Sequence, residues 1–299
     1  MVQARDPMRV SACCTAASLL EVCVSPSPGL VNLRDSGAHT DMNFLTFMLG
    51  TSVLSPYYLS FAEFGHSNPG ISPRKLFDEL RKIGVQAEIR LLEATSGVNT
   101  QRGQLFLMGL AAGIAGLCLA RNQDVPSQEF YSTVREACAG LCERELGRAG
   151  SGVKPAAELG LCLAGARGEA EAGFPTVETV GYPALLSGLQ RGLSLNDASV
   201  HALINIMGVL VDTTVNRRLG VDGISTMHET AKRILAAGSV FTRDGRNLIR
   251  EAHSDFCRSR LSPGGAADLL ALSMALCFIE RGFPGPGVIL APSLFERDK

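Results

Sequence analysis

Residues 105–120 read LFLMGLAAGIAGLCLA and form the longest apolar run of the chain. The run falls short of the roughly 20 apolar residues that a membrane span needs. Glycines recur along it, and a helix position without a side chain lets a neighbouring helix approach closely. The run therefore predicts a buried helix in close contact with other helices.

The remainder of the chain places apolar residues at helical spacing. One stripe, from Val10 to Val24, contains a carboxylate, Glu21, which needs a pairing partner or a role in a site because an unpaired buried carboxylate is costly. Further helix starts are indicated by Ser72-Pro73, Ser127, the region near Asn196, the capping-box spacing of Thr226 and Glu229, and Ser262-Pro263. No stretch has the period of a strand, and no repeat of fixed length occurs. The pattern predicts an all-α fold.

The predicted architecture is a single-domain multi-helix bundle over residues 1–299. Gly147 to Pro155 is the most linker-like stretch, but the helical patterns on both sides are equally apolar, which favours an excursion within one domain. Residues 282–299 are predicted to form an irregular C-terminal tail.

Composition limits the possible functions. The 28 Lys and Arg residues balance 29 Asp and Glu residues, and the net charge of −1 does not favour a nucleic-acid or membrane partner. The chain has nine cysteines but no Cys-x-x-Cys pair and no signal-peptide pattern, so we expect a cytoplasmic protein. His228 and His253 lie among charged residues and are interpreted as solvated.

Glycine-rich polar stretches interrupt the apolar pattern, and each ends against an apolar helix. Residues 165–176, GARGEAEAGFPT, combine Arg167, Glu169 and Glu171 with small residues that let another molecule approach the backbone. Taken alone, such a stretch is more often a solvated loop than a site. The choice between a solvated loop and a site therefore depends on the other polar stretches of the chain.

The stretch before the second helix, residues 30–41, brings His39 and Asp41 close together in the sequence. An isolated histidine is more often a turn residue than a catalyst, but a His-x-Asp pair at a helix start is compatible with both roles. The aspartate can equally be a plain N-cap.

Two more polar stretches precede apolar helices. Residues 94–103, ATSGVNTQRG, place Arg102 and free amides at a helix start, which suits a phosphate. The pattern is neither a P-loop nor a dinucleotide fingerprint. In residues 261–270, Gly264 and Gly265 each cost about 1 kcal/mol relative to alanine in a first helical turn. This cost suggests that something approaches the backbone there, and Asp268 in the next turn favours a buried partner or a ligand.

Together these stretches resemble the triphosphoribosyl-dephospho-CoA synthases, which make the precursor of the prosthetic group of citrate lyase and malonate decarboxylase acyl carrier subunits. The resemblance covers residues 21–281. It rests on SPSPGLVN and GAHTDM, SGVNTQRG, GARGEAEAGFP, DTTVNRR and LSPGGAADLL, in the family's order and at similar spacing.

The resemblance implies transfer of the triphosphoribosyl group of ATP to the 2′-hydroxyl of 3′-dephospho-CoA, with release of adenine. The product would pass to a carrier-protein transferase. It also implies an active site built from inter-helix loops and helix N-termini, with Mg²⁺ held by carboxylates. The catalytic residues expected are Asp41, Glu169, Glu171 and His39, with Asp41 or Glu171 as the base. Asp41, Glu169 and Asp212 are expected near the metal. The substrate-binding residues expected are Glu21, Gly29, Asn99, Arg102, Arg167 (on phosphate), Arg218, Ser262, Gly264, Gly265 and Asp268.

Several positions depart from the family pattern. Ser27 replaces a lysine, Asn32 an aspartate, Gln101 a histidine and Thr214 an asparagine, while Arg102 keeps the charge of a lysine. Either these positions are peripheral, or the chain uses another acceptor or nucleotide. A related ribosyl transferase or N-glycoside-cleaving enzyme, or a non-catalytic nucleotide-binding paralogue, is therefore the alternative.

Overall fold

The computed structural model describes residues 6–146 and 164–296. These residues are helical and include no strand, which confirms the predicted all-α fold class. The helices are α1 (Pro7–Glu21), α2 (Phe44–Ser67), α3 (Pro73–Ala94), α4 (Arg102–Ala120), α5 (Gln128–Cys138), α6 (Leu141–Leu146), α7 (Gly165–Glu171), α8 (Tyr182–Gln190), α9 (Leu195–Met207), α10 (Thr213–Ala236), α11 (Arg243–Ser259), α12 (Gly264–Arg281) and α13 (Pro286–Ile289). A π-helical turn, Val177–Gly181, precedes α8, and a 3₁₀ turn, Ser239–Phe241, precedes α11.

Helix α4 lies at the centre and packs against α1, α2, α3, α5 and α12. By length and composition it could cross a membrane, but most of its surface is buried by the other helices, as predicted for a core helix. Its glycines permit direct backbone contact with α2. A Cβ atom on Gly116 would lie 2.0 Å from the Ala62 carbonyl oxygen, and one on Gly65 would lie 1.9 Å from the Gly113 carbonyl oxygen.

The buried apolar residues form one continuous cluster that extends from Val10 on α1 to Phe295 near the C-terminus. Helix α12 contributes an almost unbroken apolar surface to this cluster and contacts α1, α4, α8 and α9. The linker-like stretch, Gly147 to Pro155, lies outside the described residues. The predicted irregular tail contains one helical turn, α13.

Two predicted helix starts are wrong. Thr226 and Glu229 do not begin a helix but lie inside α10, where the Thr226 hydroxyl donates to the Asp222 carbonyl. Helix α10 begins instead at Thr213 and is interrupted at Gly220, which has φ of +67°. The capping-box spacing of Thr226 and Glu229 therefore lies inside a helix. There the threonine hydroxyl bonds to the preceding turn instead of capping a helix start.

The helix start predicted at Ser262 and Pro263 is displaced by one residue. Helix α12 begins at Gly264 with Pro263 at the N-cap position, and the Ser262 hydroxyl does not cap it. The side chain that bonds the free amides of α12 comes from Asp212, before α10. A residue 54 positions away in sequence thus fills the role expected of a neighbour.

Candidate active site

The N-terminal ends of α4, α10 and α12 meet helix α7 and the loop after α1 around one cleft of about 520 Å³. Most of the predicted site residues line it. They are Glu21, His39, Asp41, Asn99, Arg102, Arg167, Glu169, Asp212, Arg218, Ser262, Gly264, Gly265 and Asp268. Gly29 and Glu171 are not among the residues that line the cleft. Five segments separated in sequence therefore converge on one site.

Three carboxylates form what we call the inner wall of the cleft: Glu21 and Asp212, which are buried, and Asp268, which is half-buried. Burial, reinforced by the charge of Asp268, raises the pKa of Glu21 to about 8. Burial and the charge of Asp212 raise the pKa of Asp268 well above its usual range. Among the described residues, no lysine or arginine forms an ion pair with these carboxylates. The inner wall thus holds acidic groups that have no cationic side chain as a partner among the described residues.

Asp212 also joins two helices. Its Oδ1 accepts hydrogen bonds from the Thr214 and Val215 amides at 2.8 and 3.2 Å, and its Oδ2 accepts from the Ala266 amide at 3.0 Å. These bonds cap α10 and α12 together, and they oppose the effect of burial, which raises the pKa of Asp212. A Cβ atom on Gly265 would lie only 3.0 Å from Asp212 Oδ2. The close approach predicted at this glycine is therefore made by Asp212.

Asp268 lies against the start of α4. A Cβ atom on Gly103 would be 2.2 Å from Asp268 Oδ2, and the Gln104 amide donates to the same carboxylate. Only glycine leaves room for a carboxylate this close to the backbone. The predicted buried partner of Asp268 is therefore the N-terminal end of α4, which also stabilises negative charge.

His39 contacts three groups of different chemistry. Its Nε2 lies 2.8 Å from Ser262 Oγ, while its Nδ1 lies 3.3 Å from Asp41 Oδ1 and 3.2 Å from Arg218 Nη2. Ionised Asp41 can only accept and Arg218 can only donate, so Nδ1 has a partner in either neutral tautomer. Burial and the charge of Arg218 lower the pKa of His39. The ring is therefore neutral at pH 7, and in the tautomer that carries its proton on Nδ1, facing Asp41, Nε2 can accept a proton.

The loop that carries His39 is held in place by residues that face away from the cleft. Gly29, with φ of +69°, leaves no room for a side chain, because a Cβ atom there would lie 2.0 Å from the Leu261 carbonyl oxygen. His253 is not solvated as predicted: its Nδ1 lies 2.8 Å from the Ser27 carbonyl oxygen and its Nε2 lies 3.0 Å from Asp35 Oδ2. Both residues position the loop.

Asn32, one of the departures from the family pattern, is also a residue of this loop and does not line the cleft. Its amide nitrogen donates to the Leu30 carbonyl at 3.2 Å and to Asp35 Oδ1 at 3.1 Å, and its oxygen accepts from the Arg34 amide at 2.8 Å. An ionised aspartate could not donate the first two bonds. Asparagine at this position is therefore explained by the loop itself.

The other departures differ in position. Gln101 and Thr214 line the cleft, and Gln101 is fixed by hydrogen bonds to Thr51 and Gln104. Ser27 is buried, and its hydroxyl has no partner among the described residues. Gln101 and Thr214 can thus contact a ligand, as can Arg102, which keeps the charge of the lysine that it replaces.

The two glutamates of the GARGEAEAGFP stretch lie in different surroundings. Glu169 lines the cleft and accepts from the Thr176 hydroxyl at 2.5 Å, and burial raises its pKa. Glu171 accepts from the Gly140 and Cys142 amides, both at 2.8 Å, and these bonds lower its pKa. The position of Glu171 favours a role in holding α6 rather than a role as a base.

Three guanidinium groups, Arg102, Arg167 and Arg218, form what we call the outer rim of the cleft. The side chains of Arg102 and Arg167 are 47% and 49% exposed. Arg102 pairs with Glu88, and Arg167 Nε lies 2.5 Å from Glu145 Oε2. Arg218 contacts His39 and the Ala38 carbonyl. The rim can bind phosphate groups by exchanging these partners.

Sequence reasoning missed some lining residues. Thr100 lines the cleft, and its buried hydroxyl has no partner in the described part of the chain. Arg217 lines the cleft beside Arg218. Their positions in the VNTQRG and VNRR motifs were available as a signal, but residue type alone did not separate them from their neighbours.

Comparison with known proteins identifies the family. The family described as "CitG: ATP:dephospho-CoA triphosphoribosyl transferase" matches residues 7–286. The chain is 35% identical to a 2-(5''-triphosphoribosyl)-3'-dephosphocoenzyme-A synthase of Klebsiella pneumoniae and 32% identical to one of Escherichia fergusonii, each over 89% of both proteins. It is 34% identical to a probable synthase of Vibrio cholerae, over 85% of this chain and 83% of that protein.

No solved structure matched the chain. The family match nevertheless extends over nearly the whole chain, and the relatives are similar over most of their own length. The chain therefore belongs to the CitG family of ATP:dephospho-CoA triphosphoribosyl transferases.

Proposed function

We propose that the protein transfers the triphosphoribosyl group of ATP to the 2′-hydroxyl of 3′-dephospho-CoA and releases adenine. The observation that carries this proposal is the cleft itself, in which a neutral histidine, acidic groups without cationic side-chain partners and three arginines line one cavity. The reaction breaks the bond between the ribose anomeric carbon and adenine and forms a bond from that carbon to the acceptor oxygen. The acceptor proton must leave, and adenine must gain one.

His39 is the proposed base. Its lowered pKa keeps Nε2 free to accept the acceptor proton, and Asp41 at Nδ1 stabilises the imidazolium that results. The Ser262 hydroxyl, 2.8 Å from Nε2, occupies the position where the acceptor hydroxyl would bind or relays its proton. Asp41 thus acts through His39 rather than as the base itself.

Glu169 is the proposed acid for adenine. Burial raises its pKa, and the Thr176 hydroxyl and amide hold its carboxyl group in the cleft. A carboxyl group that keeps its proton nearer to neutral pH can donate it to a departing base nitrogen. The developing positive charge on the ribose would be stabilised by the ionised carboxylates of the same cleft.

Mg²⁺ is part of the proposal, and the donor set of the inner wall suits it. Buried Glu21 and half-buried Asp268 offer carboxylate oxygens that pair with no lysine or arginine of the described residues, and Mg²⁺ prefers carboxylate oxygens. Both oxygens of Asp212 already accept amide hydrogen bonds, so Glu21 and Asp268 are better suited than Asp212 to hold the ion. Bound Mg²⁺ would neutralise phosphate oxygens of the triphosphate.

The cellular setting completes the proposal. A cytoplasmic location and transfer of the product to a carrier-protein transferase follow from the expected role in prosthetic-group synthesis. Whether the recipient carrier belongs to citrate lyase or to malonate decarboxylase is decided by assaying product attachment to each carrier subunit.

The test is product analysis. Purified protein is incubated with ATP, 3′-dephospho-CoA and Mg²⁺, and the products are identified by mass spectrometry. We expect adenine in equal amount with an adduct of dephospho-CoA and triphosphoribose, and none without the acceptor. Adenine released without acceptor would indicate N-glycoside cleavage instead. Binding of both substrates without any product would indicate a non-catalytic relative.

A further inference from the structure

A second cavity of about 410 Å³ adjoins the cleft between helices α3 and α4. The two share Asn99, Arg102, Gly103, Ala166 and Arg167 in their linings, so the second cavity continues the first. Its own lining is mainly apolar. It includes Phe61, Phe77, Leu80, Val85, Leu105 and Phe106. None of these apolar side chains is needed for the chemistry proposed above.

Arginines lie at the boundary between the two cavities. Arg102 and Arg167 line both, and Arg81 lines the second. Glu145 lies between two of these groups, with Arg81 Nη1 2.5 Å from its Oε1 and Arg167 Nε 2.5 Å from its Oε2. Two guanidinium groups that converge on one carboxylate can bind a phosphate in the same way. The boundary is thus suited to an anionic group.

The order of these surfaces matches one of the two proposed substrates. His39 lines only the first cavity, Arg102 and Arg167 line both, and the apolar side chains named above line only the second. A ligand that spans the two cavities therefore meets these groups in that order. In 3′-dephospho-CoA the acceptor ribose is followed by the 5′-diphosphate and then by the pantetheine arm, which carries methyl and methylene groups. ATP has no such arm. We infer that the second cavity binds the pantetheine arm of 3′-dephospho-CoA, with the boundary arginines on its 5′-diphosphate.

Gly84 explains how the cavity stays open. It lies inside α3 and lines the cavity, and a Cβ atom there would contact only Phe61 Cζ, at 3.9 Å. Glycine inside a helix is less stable than alanine by about 1 kcal/mol. No packing contact of the described residues requires that glycine. An open path for a ligand accounts for it.

The inference rests on the proposed function, and its test separates the two. Gly84→Leu should fill the cavity and fold well, because leucine is a better helix former than glycine. The smaller Gly84→Ala variant retains the fold if leucine does not. Gln86→Leu adds the same side chain at an exposed position of α3 outside the cavity and serves as the control.

Steady-state kinetics and calorimetry supply the readouts. For Gly84→Leu we expect the KM for 3′-dephospho-CoA to rise at least about tenfold, a loss of about 1.4 kcal/mol of binding free energy, while the KM for ATP stays within twofold. Calorimetry with 4′-phosphopantetheine, which carries the arm without adenosine, should show binding to the wild type and to Gln86→Leu but not to Gly84→Leu.

Each other outcome has a defined meaning. A raised KM for ATP with unchanged 3′-dephospho-CoA binding would overturn the inference, because the cavity would then hold part of ATP. Unchanged binding of both the acceptor and 4′-phosphopantetheine would overturn it as well. If the wild type forms no product either, the proposed function fails, but the 4′-phosphopantetheine titration still tests the cavity.

Discussion

The carboxylates of the inner wall are buried or half-buried and have no cationic partner in the described part of the chain, whereas the guanidinium groups of the outer rim are exposed to solvent and each has a partner. In the wall, burial sets the pKa values, because removing water disfavours the charged form. On the rim, solvent and neighbouring groups stabilise the charged form of the arginines, and exposed ion pairs of this kind contribute little to the stability of the fold. The wall is therefore suited to a ligand that supplies positive charge. The rim is suited to an anionic ligand that replaces the weakly bound partners of the arginines.

The strongest test of this difference removes one charge from the inner wall. Asp268→Asn keeps the shape of the side chain, and we expect kcat/KM to fall at least about 100-fold with Mg²⁺ present, because the carboxylate oxygens that suit the ion are lost. The measurement is adenine release under saturating ATP. Asp222→Asn, an exposed carboxylate on α10 outside the cleft, is the matched control. Wild-type rates in Asp268→Asn would show that the charge of the wall is not used.

The second test acts on His39, which contacts Arg218 of the outer rim. His39→Gln removes the base, and we expect a loss of about 100-fold in kcat, the usual scale for a general base. In the wild type, activity should fall as the pH drops through the lowered pKa of His39, because the ring gains a proton. The acidic limb should be absent in the variant. If the acidic limb of the pH–activity profile persists in His39→Gln, a group other than His39 titrates in that range.

The outer rim should respond more weakly and in a different parameter. Arg167→Gln removes one phosphate contact, so we expect the KM of an anionic substrate to rise about tenfold with little change in kcat, and the effect to shrink as salt increases. Arg258→Gln, an exposed arginine of α11, provides the comparison. An equal fall of kcat and kcat/KM would mean that Arg167 contacts the substrate only in the transition state. That result would contradict its role as an exchangeable phosphate contact of the rim.

A stability measurement tests the wall without turnover. The pKa of Glu21 is about 8 in the folded protein and ordinarily near 4.5, so the folded state binds more protons in that window and its stability falls as the pH rises through it. Glu21→Gln removes this loss. We expect its melting temperature to exceed that of the wild type by roughly 5 °C at pH 8 and by little at pH 5. If the melting temperatures of the wild type and Glu21→Gln depend on pH in the same way, the raised pKa does not belong to Glu21.

The smallest effect is expected outside both regions. Glu171→Ala removes the acceptor of two amide bonds, and we expect a loss of about 1 kcal/mol in the free energy of unfolding, with turnover within twofold. Because the pKa of Glu171 is lowered, the contribution should be present at neutral pH and disappear as the pH falls through that pKa. Glu136→Ala, exposed on α5, is the control. A large loss of turnover would restore Glu171 as the base.

Much of the site was predictable because the polar stretches end at helix starts. His39, Arg102, Glu169 and Asp268 were predicted to be site residues, and they line one cleft. Helix starts offer free amides and exposed loops, which is where ligands bind. The predictions for Gly29 and Glu171 placed both residues at the site, whereas the structure gives them contacts that hold a loop and a short helix.

The missed features share one cause: their partners come from distant parts of the chain. Asp212 caps α12, Ser262 meets His39, and His253 anchors the loop at Ser27. Local rules assign a serine before a helix to capping and a histidine among charges to solvent. Neither rule holds for Ser262 and His253, because helix packing brings other hydrogen-bonding groups within reach of these side chains.

The sequence by itself determined that the fold is all-α, that residues 105–120 are buried, and which polar stretches carry candidate site residues, since helical periodicity and apolar composition act over a few neighbouring residues. Only the tertiary structure decided which carboxylates lie together, which of them cap helices, and which cavity continues the cleft. Hydrogen bonds and desolvation depend on groups within a few ångströms, and helix packing, rather than chain order, decides which groups those are.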